Sequence, residues 1–171
     1  MPASPPGTAA DAAIATAMEA LREATQHRDA AAIAPLLSPD VSFHSPLTSR
    51  ARFEGADEVV ALLRDVFRVL DDIETDQVLA GADARAFRFR ARVRRVDLAA
   101  VLYADFDDRG LITEITIFGR PLPGAATLFA TLPPLVSARR RGPVIGFTVG
   151  VLARPLAFSL RAADRLVPWF L

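Results

Sequence analysis

Apolar and polar positions alternate most plainly between residues 85 and 94. Phe87, Phe89, Ala91 and Val93 fall on one side, and Arg88, Arg90, Arg92 and Arg94 on the other. A period of two predicts a strand, because a helix would scatter these apolar groups around its axis. Strands are predicted around it at 73–80, 84–94, 97–107 and 111–119, joined by short turns that favour antiparallel pairing in chain order. Earlier the period changes. Ile14, Met18 and Leu21 predict a helix over 11–28, and Val59, Leu62, Leu63, Val66, Phe67 and Leu70 predict another over 55–70. A short helix over 29–37 follows Asp29 as N-cap, and Ser38-Pro39-Asp40 is expected to end it. Val41–His44 reads as a short strand and 45–54 as a polar loop. Residues 122–141 read as partly helical, broken at Pro133-Pro134.

A register follows from the turns. With Arg95-Val96 as a two-residue loop, Arg88 faces Tyr103. With Asp107–Gly110 as the next turn, Tyr103 faces Glu114. Phe87, Phe89, Leu98, Leu102, Ile115 and Ile117 then share one face, and Arg88, Arg90, Tyr103, Asp105, Glu114 and Thr116 the other.

Composition narrows the chemistry. The chain has 171 residues, 51% of them hydrophobic, enough for one domain with a sizeable core. It has no cysteine and only two histidines, so thiol chemistry, disulfides and a histidine-rich metal site are excluded. No metal and no cofactor are expected, because no phosphate loop or dinucleotide fingerprint is present. All 20 basic residues are Arg, and the formal charge is zero. Residues 139–171 hold six Arg against one Asp, whereas residues 1–138 hold fourteen Arg against nineteen acids. Such a basic tail docks either on its own acidic body or on an outside partner. With no net positive charge and no aromatics among the strand arginines, nucleic acid is not expected as a partner.

The element order and three local segments carry a resemblance. Leu36–Pro46 ("LLSPDVSFHSP"), Phe53–Phe67 ("FEGADEVVALLRDVF") and Asp107–Pro121 ("DDRGLITEITIFGRP") look like successive parts of the nuclear transport factor 2-like, SnoaL-like superfamily. The resemblance covers about residues 10–121. It implies an α+β fold: a cone-shaped, strongly curved, mostly antiparallel sheet with about three N-terminal helices, to which a C-terminal helical extension is added here. The expected organisation is a flexible N-terminus over 1–9, the domain over 10–121 and an apolar, basic extension over 122–171. The superfamily includes cyclases, isomerases, hydrolases and non-catalytic dimerisation or binding modules, so fold does not give function. Catalytic members mostly place an Asp or His inside the cone, with an acid expected near the end of the last strand. This chain reads Ile115-Thr116-Ile117-Phe118 there.

Two readings stand for each candidate. His44, at the end of the first strand, is either a general base for proton transfer or a side chain that fixes the loop before Pro46. Asp40 either orients that imidazole or caps the turn. Arg88, Tyr103 and Glu114 are either a phenolic acid with a tuned carboxylate or a ladder on an outer face. Phe43, Phe67, Phe87, Phe89, Leu102, Ile115 and Ile117 either line a pocket for an apolar small molecule or fill a core. The tail from 139 to 171 either packs within the protein or lies on a membrane surface. Its charge-free run over 142–153 is too short to span a bilayer. The expectation is a small-molecule-binding protein, homodimeric and cytoplasmic. The alternative is a dimerisation module, or a peripheral membrane module acting through its tail. The N-terminus shows no secretory signal pattern.

Overall fold

The structure, a computed structural model, describes residues 9–46, 52–81, 85–145, 147, 148, 150, 151, 155, 158 and 159. The chain runs α1 (Ala9–Gln26), α2 (Ala30–Ile33), a 3-10 turn (Ala34–Leu36), β1 (Leu37–His44), β2 (Phe53–Glu54), α3 (Ala56–Val69) and β3 (Asp71–Thr75). It continues through β4 (Leu79–Ala80), β5 (Arg85–Val93), β6 (Val96–Phe106) and β7 (Ile112–Arg120) to α4 (Leu122–Arg141). The seven strands form one curved sheet in the order β2-β1-β7-β6-β5-β3, with β4 also on β5. Every pairing is antiparallel except β1 with β7. The flexible N-terminus expected over 1–9 lies almost wholly outside the described residues, as does much of the tail.

Local chemistry explains the elements. The Asp29 carboxylate accepts from the backbone N–H groups of Ala31 and Ala32, both at 3.0 Å, and so caps α2. The strand does not wait for Val41: β1 starts at Leu37 and passes through Pro39. Its ladder with β7 is interrupted between Leu37 and Ser42, so the donor that Pro39 lacks is not needed there. Phe53–Glu54, expected as loop, adds a short strand to β1.

The register differs from expectation by two residues in both hairpins. Arg94 and Arg95 form the first turn, at φ 47° and 68°, so Val93 faces Val96 and Arg88 faces Val101. Two left-handed residues make a tight hairpin turn, and an Arg tolerates that conformation better than the β-branched Val96 would. In the second hairpin the Asp107 N–H bonds the Leu111 carbonyl at 2.9 Å, and Gly110 takes φ 81°. Tyr103 therefore faces Thr116, and Glu114 faces Asp105. A shift of two preserves which residues share a face, so the division of apolar from polar side chains survives. Irregularities in the ladders of β1 with β7, β3 with β5, and β6 with β7 bend the sheet.

One apolar core lies in the hollow of that bend. Met18 and Leu21 of α1, Val59 and Leu62 of α3, and Phe87, Leu102 and Ile115 of the sheet are buried together. Residues 122–141, read from sequence as the start of an extension, contribute Leu128, Leu132 and Val136 to the same core. The helix also continues through Pro133 and Pro134 where a break was expected. The prolines remove two backbone donors, but burial of this apolar stripe on both sides of them holds α4 to the sheet. A cis Arg120–Pro121 bond leads from β7 into α4. At Gly124 the helix backbone nearly touches β6: a Cβ there would stand 2.3 Å from the Asp97 carbonyl oxygen.

Candidate functional site

Between the concave face of the sheet and the helices lies a cavity of about 300 Å³. Phe43, Phe89, Leu102, Ile115 and Ile117 line it from the sheet, Leu62, Val66 and Phe67 from α3, and Leu128, Phe129, Leu132 and Pro133 from α4. Six of the seven apolar residues picked out in the sequence therefore border this space. Phe87 does not: it is fully buried and fills the interior beside the cavity. The wall from α4 was not foreseen, because two prolines in the sequence read as a helix break.

The polar groups in the wall are few. Thr25 donates its hydroxyl to the Leu21 carbonyl at 2.8 Å, and Ser45, Ser137, Arg140 and Arg141 complete the set. No Asp, Glu, His or Tyr is among the described lining residues. Arg140 lies over the Phe53 ring at 4.7 Å from its centroid, and Phe53 in turn meets Phe43 edge-on at 6.2 Å.

The candidate polar residues sit elsewhere. His44 projects from the other side of β1, 57% exposed, with Nε2 3.5 Å from Glu114 Oε2. Successive strand residues point to opposite faces, so once Phe43 faces the cavity His44 cannot. The alternation was present in the sequence and excludes placing both inside. Asp40 is exposed and accepts from the Ser38 hydroxyl, and that bond holds its carboxyl below the usual 3.8, helped by its own backbone N–H. Tyr103 is on the outer face opposite Thr116, and Thr116 donates its hydroxyl to Glu114 at 3.2 Å. Arg88, Tyr103 and Glu114 do not form one cross-strand row. The β5 arginines turn instead to acids within β3 and just after it: Arg92 to Asp72, Arg90 to Glu74 at 3.2 Å, and Arg88 to Asp76 at 2.5 Å. Such exposed pairs each contribute about 0.2–1 kcal/mol.

A second polar group went unnoticed in the sequence. Arg139 donates to both Glu58 carboxylate oxygens at 3.1 Å and to Asp65 at 2.8 Å, and Arg140 donates to Glu58 at 2.6 Å. Asp65 is almost fully buried. These bonds clamp the end of α4 onto α3, and they use two of the tail's arginines within the protein. The signal was available: Glu58 and Asp65 are seven residues apart, on one face of a helix, and the chain elsewhere offers a run of three arginines. The arginines hold Glu58 below its usual 4.5, Arg139 chiefly and then Arg140.

Among the described residues no helix is long and apolar enough to cross a membrane, and no cluster of side chains suits a metal ion.

No curated protein matches the chain. A steroid delta-isomerase from Pseudomonas aeruginosa is 27% identical, with a TM-score of 0.69 over 80% of this chain and 98% of its own. A cystatin-like-fold protein from Silicibacter pomeroyi is 22% identical, with a TM-score of 0.68 over 75% of this chain and 91% of its own. An NTF2-like protein from Mesorhizobium loti is 17% identical, with a TM-score of 0.58 over 68% of this chain and 98% of its own. The model of the SnoaL-like domain matches residues 18–115, more than half of the chain. With the curved sheet, the helix-covered hollow and this match in agreement, the chain belongs to the SnoaL-like domain family.

Proposed function

We propose that this protein binds an apolar small molecule in the cavity and does not use that cavity for proton transfer. The observation that carries the proposal is the wall itself: about 300 Å³ of space bounded by aliphatic and aromatic side chains, with no acid, His or Tyr among the described lining residues. That volume is at the lower end of the ~300–1,000 Å³ typical of ligand pockets. Similarity to a steroid delta-isomerase supports an apolar guest. It does not support the same chemistry, because ketosteroid isomerisation needs a carboxylate base with a Tyr and a protonated Asp to hold the enolate.

Calorimetry with the neutral probe 2-(2-naphthyl)ethanol tests this. The wild type is expected to bind it. Ala100→Leu, which places three more carbons in the space, is expected to weaken binding about tenfold or more, since overfilling a packed site costs roughly 1–3 kcal/mol. His44→Ala is expected to change the affinity less than twofold and leave the circular dichroism spectrum intact. No binding by the wild type, or loss in His44→Ala without loss in Ala100→Leu, would move the site off the cavity.

A second reading rests on the exposed apolar groups after α4. Val144 is 77% and Phe147 72% exposed, with Val151 and Phe158 also exposed at helical spacing. Such a stripe, with arginines nearby, suits attachment to an anionic membrane surface. In this reading the chain co-sediments with phosphatidylserine-containing vesicles, and the double variant Val144→Ser, Phe147→Ser stays in the supernatant. Absence of the intact chain from the pellet sinks it.

A further inference from the structure

The three arginines that end α4 are not equivalent. Arg139 is held by Glu58 and Asp65, and Arg140 by Glu58 and by the Phe53 ring. Arg141 also borders the cavity, yet among the described residues no carboxylate lies within ion-pair distance of it. Glu58 and Asp65 thus engage Arg139 and Arg140, which leaves Arg141, at the edge of an apolar space, without a carboxylate partner among the described residues. Ser137 stands one helical turn before Arg141 and borders the same space. Side chains four apart on a helix are neighbours, about 5–6 Å between Cβ atoms, so a hydroxyl and a guanidinium flank one rim position.

The geometry points to a ligand with two parts: an apolar body in the cavity and a carboxylate at its rim, received by Arg141 and Ser137. This inference rests on the cavity being the binding site and adds the chemical class of what it binds. Arg suits the task because its planar group offers two parallel N–H donors to a carboxylate and keeps its charge at any physiological pH. The role of each residue is distinct. The aliphatic and aromatic walls supply affinity by burying the body of the ligand, without direction. Arg141 supplies orientation, because only one end of the molecule can meet it. Arg140 cannot serve in its place while Glu58 neutralises it. Glu58 also sets the selectivity, since without it Arg140 would add a second free charge and the rim would favour dianions.

The test compares two probes with the same ring system, 2-naphthylacetate and 2-(2-naphthyl)ethanol, by calorimetry at neutral pH on the full chain. The wild type is expected to bind the acid about tenfold more tightly, the size of a charge-assisted hydrogen bond at a partly exposed site. Arg141→Gln should abolish that preference by weakening the acid, while the alcohol shifts less than twofold. Arg141→Lys should keep part of it. Arg109→Gln removes a charge on the exposed turn before β7 and should change neither probe, which separates a local contact from net charge. Equal binding of the two probes to the wild type, or an unchanged preference in Arg141→Gln, overturns the assignment and leaves the cavity reading standing. Binding of neither probe overturns both.

Discussion

Arg139→Ala is expected to lower the unfolding free energy by about 3 kcal/mol, the low end of the range for breaking a buried ion pair. The reason lies in what is left behind. Asp65 has a side chain only 3% exposed, and Arg139 donates to it at 2.8 Å. Without Arg139 that carboxylate keeps only Arg68, at 3.4 Å, from a side chain that is itself largely exposed. The low end applies because Arg139 and Glu58 are each a little over a quarter exposed, so water compensates part of the loss. Urea unfolding followed by circular dichroism measures the change. The double variant Arg139→Ala, Asp65→Leu should recover much of it, because the stranded charge is gone. A single-variant loss below about 1 kcal/mol would show that the clamp does not hold α4.

The same clamp sets a pH dependence. The arginines hold Glu58 below its usual value of 4.5 in the folded protein, with the Arg139 hydrogen bond as the main cause. A carboxyl group with a lowered folded value adds stability above its unfolded value. That contribution is lost as pH falls through the folded value. Wild-type stability should therefore decline below about pH 4.5, and this part of the acid limb should shrink in Arg139→Ala. Because α4 forms one wall of the cavity, affinity for the naphthyl probes should decline over the same window.

Phe87→Ala is expected to cost about 3–5 kcal/mol, whereas Phe89→Ala should cost at least about 1 kcal/mol less. Both are phenylalanines on the same face of the same strand. Phe87 has no exposure and opposes Leu102, so its removal leaves a hole in a filled interior. Phe89 already borders the cavity and has fewer neighbours to lose on that side. Equal costs for the two, measured by denaturant unfolding, would mean that the space beside Phe89 is filled in solution.

The placement of these two side chains shows how much was legible in the sequence. Alternation over residues 87–94 assigned the strand and its apolar face, and both hairpin turns were located to within a residue or two. The register was displaced by two in each hairpin, yet no side chain changed face, because the side-chain period of a strand is also two. Five of the lining residues, Phe43, Phe89, Leu102, Ile115 and Ile117, agree with strand parity, and Phe67 with the apolar stripe of α3. His44 did not fit, and parity already excluded it once Phe43 was assigned to the inside. Which apolar residue meets space and which meets other atoms was not legible, since Phe87 and Phe89 present the same pattern.

By itself, then, the amino-acid order determined the helices α1 and α3, the main strands β5 to β7, the two faces of the sheet and the apolar character of its hollow. These depend on short-range periodicity and on backbone preferences that each segment carries with it. Tertiary structure decided the rest. It paired β1 in parallel with β7, across some seventy residues of chain, and so set where the hollow closes. It carried α4 through two prolines, because burial of Leu128, Leu132 and Val136 holds the helix on both sides of them. It also sorted three consecutive arginines into two held by carboxylates, Arg139 and Arg140, and one, Arg141, that borders the cavity with no carboxylate partner among the described residues. That sorting depends on where Glu58 and Asp65 arrive in space, which no local pattern in the run Arg139-Arg140-Arg141 contains.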